Sequence, residues 1–127
     1  MTSTVSLMDK LLLEADKAGM TREHVLEQAH YASHNVQEVM TARFMELVAQ
    51  VESELGMPEQ FIRLDREDGK RAPIPKWLHE TLNKTTTVKM LRVAFWRREE
   101  GYSYVCLKIE LDSKDRPNYY NLVLGSR

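Results

Sequence analysis

Val88-Lys89-Met90-Leu91-Arg92-Val93-Ala94-Phe95-Trp96-Arg97-Arg98, Glu99-Glu100-Gly101, Tyr102-Ser103-Tyr104-Val105-Cys106-Leu107-Lys108-Ile109-Glu110-Leu111: this stretch decides the fold. Two runs rich in β-branched and aromatic residues flank three residues that end in glycine, which predicts a β-hairpin. A three-residue loop usually needs positive φ at its last position, and Gly101 accepts that without steric cost. This pairs Arg98 with Tyr102 and sets the register. Leu91, Val93 and Phe95 then stand opposite Ile109, Leu107 and Val105 on an apolar face. Arg92, Ala94, Trp96 and Arg98 stand beside Lys108, Cys106, Tyr104 and Tyr102 on a basic, aromatic one.

Downstream, residues 112–117 form a polar turn, and Asn118-Tyr119-Tyr120-Asn121-Leu122-Val123-Leu124 returns as a third strand. Upstream, Leu7, Met8, Leu11, Leu12 and Ala15 recur at helical spacing and Gly19 ends that helix. Thr21 is an N-cap candidate, and no Gly or Pro occurs from there to Leu55. Val36, Met40, Phe44, Leu47, Val51 and Leu55 approximate a heptad seam, and Gly56 closes the run. The expectation is an αα-hairpin, its long helix broken or kinked near Ser33 to Asn35, where Asn35 and Glu38 offer a second capping signal. Residues 57–64 read as a short helix with Pro58 in its first turn, residues 65–71 as a charged turn and residues 72–75 as a stiff connector. Residues 75–82 read as another short helix.

The predicted fold class is therefore α+β: an N-terminal αα-hairpin, short connecting helices and a C-terminal three-stranded antiparallel sheet with helices on one face. One domain is expected over residues 1–127, with a helical segment over residues 1–64, a connector over 65–84 and a β-meander over 85–127. No run of about 18 apolar residues indicates a membrane span, and one cysteine excludes an internal disulfide. Both fit a cytoplasmic protein.

A net charge of −1 conceals an asymmetry. Residues 1–69 carry 6 Lys+Arg against 13 Asp+Glu, a balance of −7; residues 70–127 carry 12 against 6, a balance of +6. The halves either attract each other within the fold or face outward toward charged partners.

Catalytic and metal signals are sparse. On a continuous helix Glu27, His30, His34 and Glu38 would share the face opposite the apolar stripe, but they form no established ligand motif. Cys106 lies mid-strand, away from any group in the local sequence that would lower its pKa, and reads as an apolar filler. Glu99 and Glu100 at a hairpin tip stay solvated, whereas acid–base work needs a raised pKa. Ala15, Gly19 and Val25 resemble the spacing of a helix–turn–helix motif. Gln28, however, stands where that motif prefers an apolar side chain, and Glu23 and Glu27 would oppose phosphates.

No catalytic residue, cofactor or metal is expected, and the protein reads as a non-enzymatic interaction protein: an adaptor, inhibitor or regulator. Its expected contacts are Arg92, Trp96, Arg98, Tyr102, Tyr104 and Lys108, together with the acidic helical half. Trp, Tyr and Arg dominate protein interfaces, so a protein partner leads. Nucleic acid is the alternative, held by phosphate neutralisation and stacking on the same face, although the order of elements is not that of known sheet-based single-strand binders. The long helix, with Arg43 at the edge of its stripe and Met45 facing away, offers a homodimer contact.

Overall fold

The computed structural model describes residues 3–63, 75–78 and 88–127. In chain order the elements are α1 (Thr4–Ala18), β1 (Arg22–His30), α2 (Val36–Leu55), β2 (Gln60–Arg63), β3 (Val88–Arg98), β4 (Gly101–Leu111) and β5 (Pro117–Ser126). The strands form one antiparallel sheet in the order β1-β5-β4-β3-β2. The class is α+β, but the sheet has five strands rather than three.

Both long helices form where their apolar spacing places them. Ser3 caps α1 by accepting the Ser6 N–H at 3.1 Å, and Met8, Leu11 and Ala15 point inward one turn apart. Gly19 ends it at φ 63°, its N–H bonded to the carbonyls of the last turn, a conformation that costs any residue with a Cβ. The buried face of α2 is Val36, Met40, Phe44, Leu47, Val48 and Val51. This helix begins at Val36 behind Asn35, which has positive φ, so the expected break or kink near Ser33 to Asn35 is a helix start.

Residues 22–30, expected to be helical, are the edge strand β1. The αα-hairpin is therefore absent, and so is a helix–turn–helix, because Val25 lies on a strand. Tertiary pairing overrides local preference here: β1 gives β5 a second neighbour along eight paired positions. A β-bulge between Val25 and Glu27 breaks the period-two pattern that would have marked the strand. Residues 60–63, expected in a short helix, pair with β3 instead. Ile62 turns into the core while Phe61 turns the other way, its ring centroid 5.8 Å from that of Phe44. Of the helix expected over residues 75–82, Lys76, Trp77 and Leu78 are helical. The rest of it, the charged turn and the connector up to residue 74 lie outside the described residues.

The hairpin forms, but its register differs by one residue. Arg98 pairs with Gly101 across a two-residue Glu99-Glu100 loop, so Arg97 faces Tyr102, Trp96 faces Ser103 and Phe95 faces Tyr104. Gly101 is extended rather than left-handed. A Cβ there would stand 2.1 Å from the Arg127 carbonyl oxygen, which accepts the Tyr102 N–H. This glycine serves a close backbone approach. Val105, Leu107 and Ile109 keep the helix side expected of them. The one-residue change turns Val93 and Phe95 away from it and brings Ala94 and Trp96 onto it, while the bulge between Met90 and Arg92 leaves Leu91 on the helix side with Ile109.

Two cores result. On the helix face Ala94, Trp96, Val105, Leu107, Tyr120, Leu122 and Leu124 meet Met8, Leu11, Met40, Phe44 and Val51. On the other face Ile62, Val93, Phe95, Tyr104, Cys106 and Val123 cluster with Leu78, and Trp77 stacks on Tyr102 at 4.7 Å. β4 is central and buried on both sides, reading Ser103 to Leu107 without an exposed residue. At Gly125 the Tyr104 ring crosses β5, and a Cβ would stand 2.1 Å from its Cζ.

Gly125→Ala is therefore expected to lower stability by about 1–3 kcal/mol through overpacking. The same change should cost less in a Tyr104→Val background, where the ring is gone. Urea denaturation of the two single variants and the double variant checks this; equal costs in both backgrounds would contradict it.

Candidate functional site

The six residues expected to form one contact surface lie on two faces. Arg92, Trp96 and Arg98 belong with the helix side of the sheet; Tyr102, Tyr104 and Lys108 belong with the other. Trp96 is 3% exposed, and its Nε1–H donates to the Gly56 carbonyl at 2.9 Å, tying the end of α2 to β3. Arg98 donates to Ser103 Oγ at 3.1 Å and pairs with Asp9 of α1. Tyr104 is fully buried, and its hydroxyl donates to Glu23 Oε1 at 2.5 Å. Lys108 donates to both oxygens of the same carboxylate, at 2.7 and 2.8 Å. The residues were read in a register one off from the observed one, and they do not share one exposed basic-aromatic face.

The charge asymmetry is used inside the fold. Asp9–Arg98 and Glu23–Lys108 each join the acidic N-terminal half to the basic C-terminal half. The Lys108 side chain is 13% exposed and Glu23 28%, so water screens this pair less than a surface one. Burial raises the Tyr104 hydroxyl well above the usual phenol range, and the Glu23 carboxylate raises it further. A chain of polar side chains continues along the same face: Gln28 donates to Asn121 Oδ1 at 2.8 Å, and Asn121 donates to Glu110 at 3.4 Å.

The helical alignment of Glu27, His30, His34 and Glu38 does not form either. Glu27 and His30 lie on β1, His34 follows it and Glu38 opens α2. Glu27 pairs with Arg43 at 3.8 Å, and the His30 ring meets Tyr119 edge-on. Among the described residues no three His, Cys, Asp or Glu side chains group as metal ligands. Cys106 is fully buried, and desolvation drives its thiol well above the ordinary range, away from the thiolate a nucleophile needs. Among the described residues no helix is long and apolar enough to cross a membrane.

Two solvent-open features of the described residues bear on recognition. The first is the outer edge of β1, which is unpaired among the described strands and exposes Val25 (51%) and Leu26 (40%) between Arg22, Glu23 and Glu27. The second is a cleft of about 790 Å³ at the start of α2, lined by Tyr31, Asn35, Gln37, Glu38, Arg92 and Tyr120 among others. Val36 and Val39 donate to the carbonyls of Ser33 and Asn35. The N–H groups of Gln37 and Glu38 have no acceptor among the described residues, and the Asn35 side chain makes no capping bond. Burial raises the Tyr120 hydroxyl above its ordinary value, with nearby Tyr31 adding to the effect. The cleft was not legible in the sequence: its residues come from three separate stretches of the chain, and only the Asn35–Glu38 capping signal marked one of them.

Comparison with protein-family models, with curated proteins and with solved structures finds no match to this chain.

The buried thiol has a measurable consequence. Its pKa is raised by folding, so the unfolded chain sheds the proton first, from about pH 8.5. The stability it contributes is fully present below that pH and is lost as pH rises toward the folded value, at up to about 1.4 kcal/mol per pH unit. Urea denaturation from pH 8 to 10 is expected to show this decline in the native protein and a flatter profile in Cys106→Val. Superimposable profiles would mean the thiol is solvated.

Proposed function

We propose that the protein is a non-catalytic interaction protein, an adaptor or regulator, that receives an extended segment of a protein partner along β1. The observation that carries this reading is the nine-residue edge strand with an open outer side and two exposed apolar residues at its centre. Every second residue of an edge strand directs its N–H and C=O away from the sheet, so such a strand can accept another. Charged neighbours and the bulge blunt the edge against indiscriminate pairing, which leaves recognition to a segment of matching shape. Val25 and Leu26 supply apolar area that a partner would desolvate.

Nucleic acid loses the support it had as a ligand, because Trp96 and Tyr104 are inside and Arg98 and Lys108 are engaged by carboxylates. For the homodimer, Met45 stands 44% exposed on the outer side of α2, with Val39 also exposed on that helix. That surface is separate from the β1 edge and is tested separately.

The experiment is affinity capture from the native host with the intact protein, Leu26→Asp and Met45→Glu side by side, with nuclease present. A specific partner is expected with the native chain and with Met45→Glu, and about ten-fold or more depleted with Leu26→Asp, as for an interface hot spot. Circular dichroism should show all three equally folded. Equal recovery by Leu26→Asp would remove β1 from the interface. Salt-sensitive binding of a random single-stranded oligonucleotide would favour nucleic acid instead.

A further inference from the structure

We propose that the occupant of the β1 edge is β1 of a second copy of this chain. The two strands pair antiparallel about a two-fold axis, so that Val25 and Leu26 of each face Leu26 and Val25 of the other. This rests on β1 being a recognition edge and names its partner.

The hydrogen bonds of the sheet fix which way each β1 backbone group points. Tyr102 and Arg127, the residue after β5, exchange N–H···O bonds at 2.8 Å. The odd-numbered residues of β5 therefore bond to β4 and the even-numbered ones to β1. Ser126, Leu124, Leu122 and Tyr120 stand opposite Arg22, His24, Glu27 and Ala29, which bond inward. The Tyr31 N–H, donating to the Asn118 carbonyl at 2.8 Å, continues the same series. Glu23, Val25, Gln28 and His30 are left to direct their N–H and C=O outward. Val25 and Gln28 are three residues apart because the bulge inserts one. A regular strand carries its outward groups two residues apart, so it stays in phase with one side of the bulge only. A second β1 running antiparallel brings the same interruption at the same place, and both ends stay in phase.

The side chains select the register. With Val25 opposite Leu26, Glu23 faces Gln28, His24 faces Glu27 and Arg22 faces Ala29, each twice by symmetry. No like charges oppose one another, and the exposed apolar pair is covered at the centre. The two-fold registers on either side set Leu26 against Glu27 or Glu23 instead, and a shift by one residue sets inward groups against outward ones. His24 and Glu27 share the helix side, since Leu124 and Leu122 opposite them belong to that core. Glu23 and Gln28 keep their side-chain bonds to Lys108 and Asn121, because only their backbone groups are used. Glu27 faces Arg43 at 3.8 Å with its side chain 41% exposed, which leaves carboxylate oxygen for His24 of the second copy. A net charge of −1 puts little long-range repulsion between copies. Two paired nine-residue strands bury less than about 1,200 Å², the small end of specific interfaces, so the dimer dissociates on dilution.

The test is sedimentation equilibrium of the intact chain from about 1 to 500 µM, a span that covers micromolar dissociation. A reversible monomer–dimer equilibrium is expected, with the Glu23, Val25, Gln28 and His30 amides exchanging more slowly at the upper end. Leu26→Asp should leave a monomer, and Met45→Glu should leave the equilibrium unchanged. His24→Lys is expected to tighten the dimer about five-fold and His24→Glu to loosen it about five-fold, through two symmetric contacts with Glu27. His24 is exposed, and amide spectra of the dilute variants check that the fold is intact. A chain that stays monomeric throughout, a dimer lost in Met45→Glu but kept in Leu26→Asp, or His24 substitutions that shift the equilibrium alike would each overturn the assignment. A monomeric chain whose captured partner is still lost in Leu26→Asp returns the edge to a different protein. A monomeric chain whose capture is indifferent to Leu26→Asp removes the edge altogether.

Discussion

One contact fixes the arrangement of the sheet: the Tyr104 ring lies across Gly125 and ends on Glu23. In a single row it joins β4, β5 and β1, because Tyr104 pairs with Gly125 and Gly125 pairs with Glu23. The ring needs the missing Cβ of Gly125, and the hydroxyl needs the carboxylate. Lys108 then closes on the same carboxylate and neutralises it where solvent is scarce. A shift of any of the three strands by one residue would separate all of these partners together. Such a shift would also expose one of the two apolar clusters, so packing and polar contacts select the same register.

With β4 central and both faces of the sheet buried, the basic and aromatic residues of the C-terminal half become structural. Arg98 and Lys108 are met by Asp9 and Glu23 from the acidic half, so part of the asymmetry along the chain resolves into contacts across the fold. Among the described residues, the outer side of β1 and the start of α2 stay open to solvent. Each presents backbone groups without partners among the described residues.

Much of the helical layer was legible from spacing. Met8, Leu11 and Ala15, and then Met40, Phe44, Leu47 and Val51, point inward as their periodicity implies, and Gly19 and Gly56 end their helices. The hairpin and the returning strand were legible as well. β1 was not, because residues 21–55 contain no Gly or Pro and the bulge after Val25 scrambles the alternation that identifies a strand. β2 was hidden by its four-residue length and by Pro58, which reads equally well as a helix start. The register was misread at Gly101, whose role is to admit the Arg127 carbonyl, a contact with a residue 26 positions away that local sequence cannot announce. That single misreading carried the contact surface with it, since faces alternate with every residue. The cleft at α2 had no local signature, because Tyr120 and Arg92 reach it from distant strands.

The most direct measurement is a nuclear Overhauser spectrum centred on the Tyr104 ring. If that ring spans β5, its protons show contacts to the Gly125 α-protons and to Glu23, and ring current moves the Gly125 α-protons upfield. Ordinary Gly125 shifts, with cross-strand contacts from Trp96 to Tyr104 in place of Phe95 to Tyr104, would contradict this arrangement. They would restore the register in which the aromatic and basic side chains share one face.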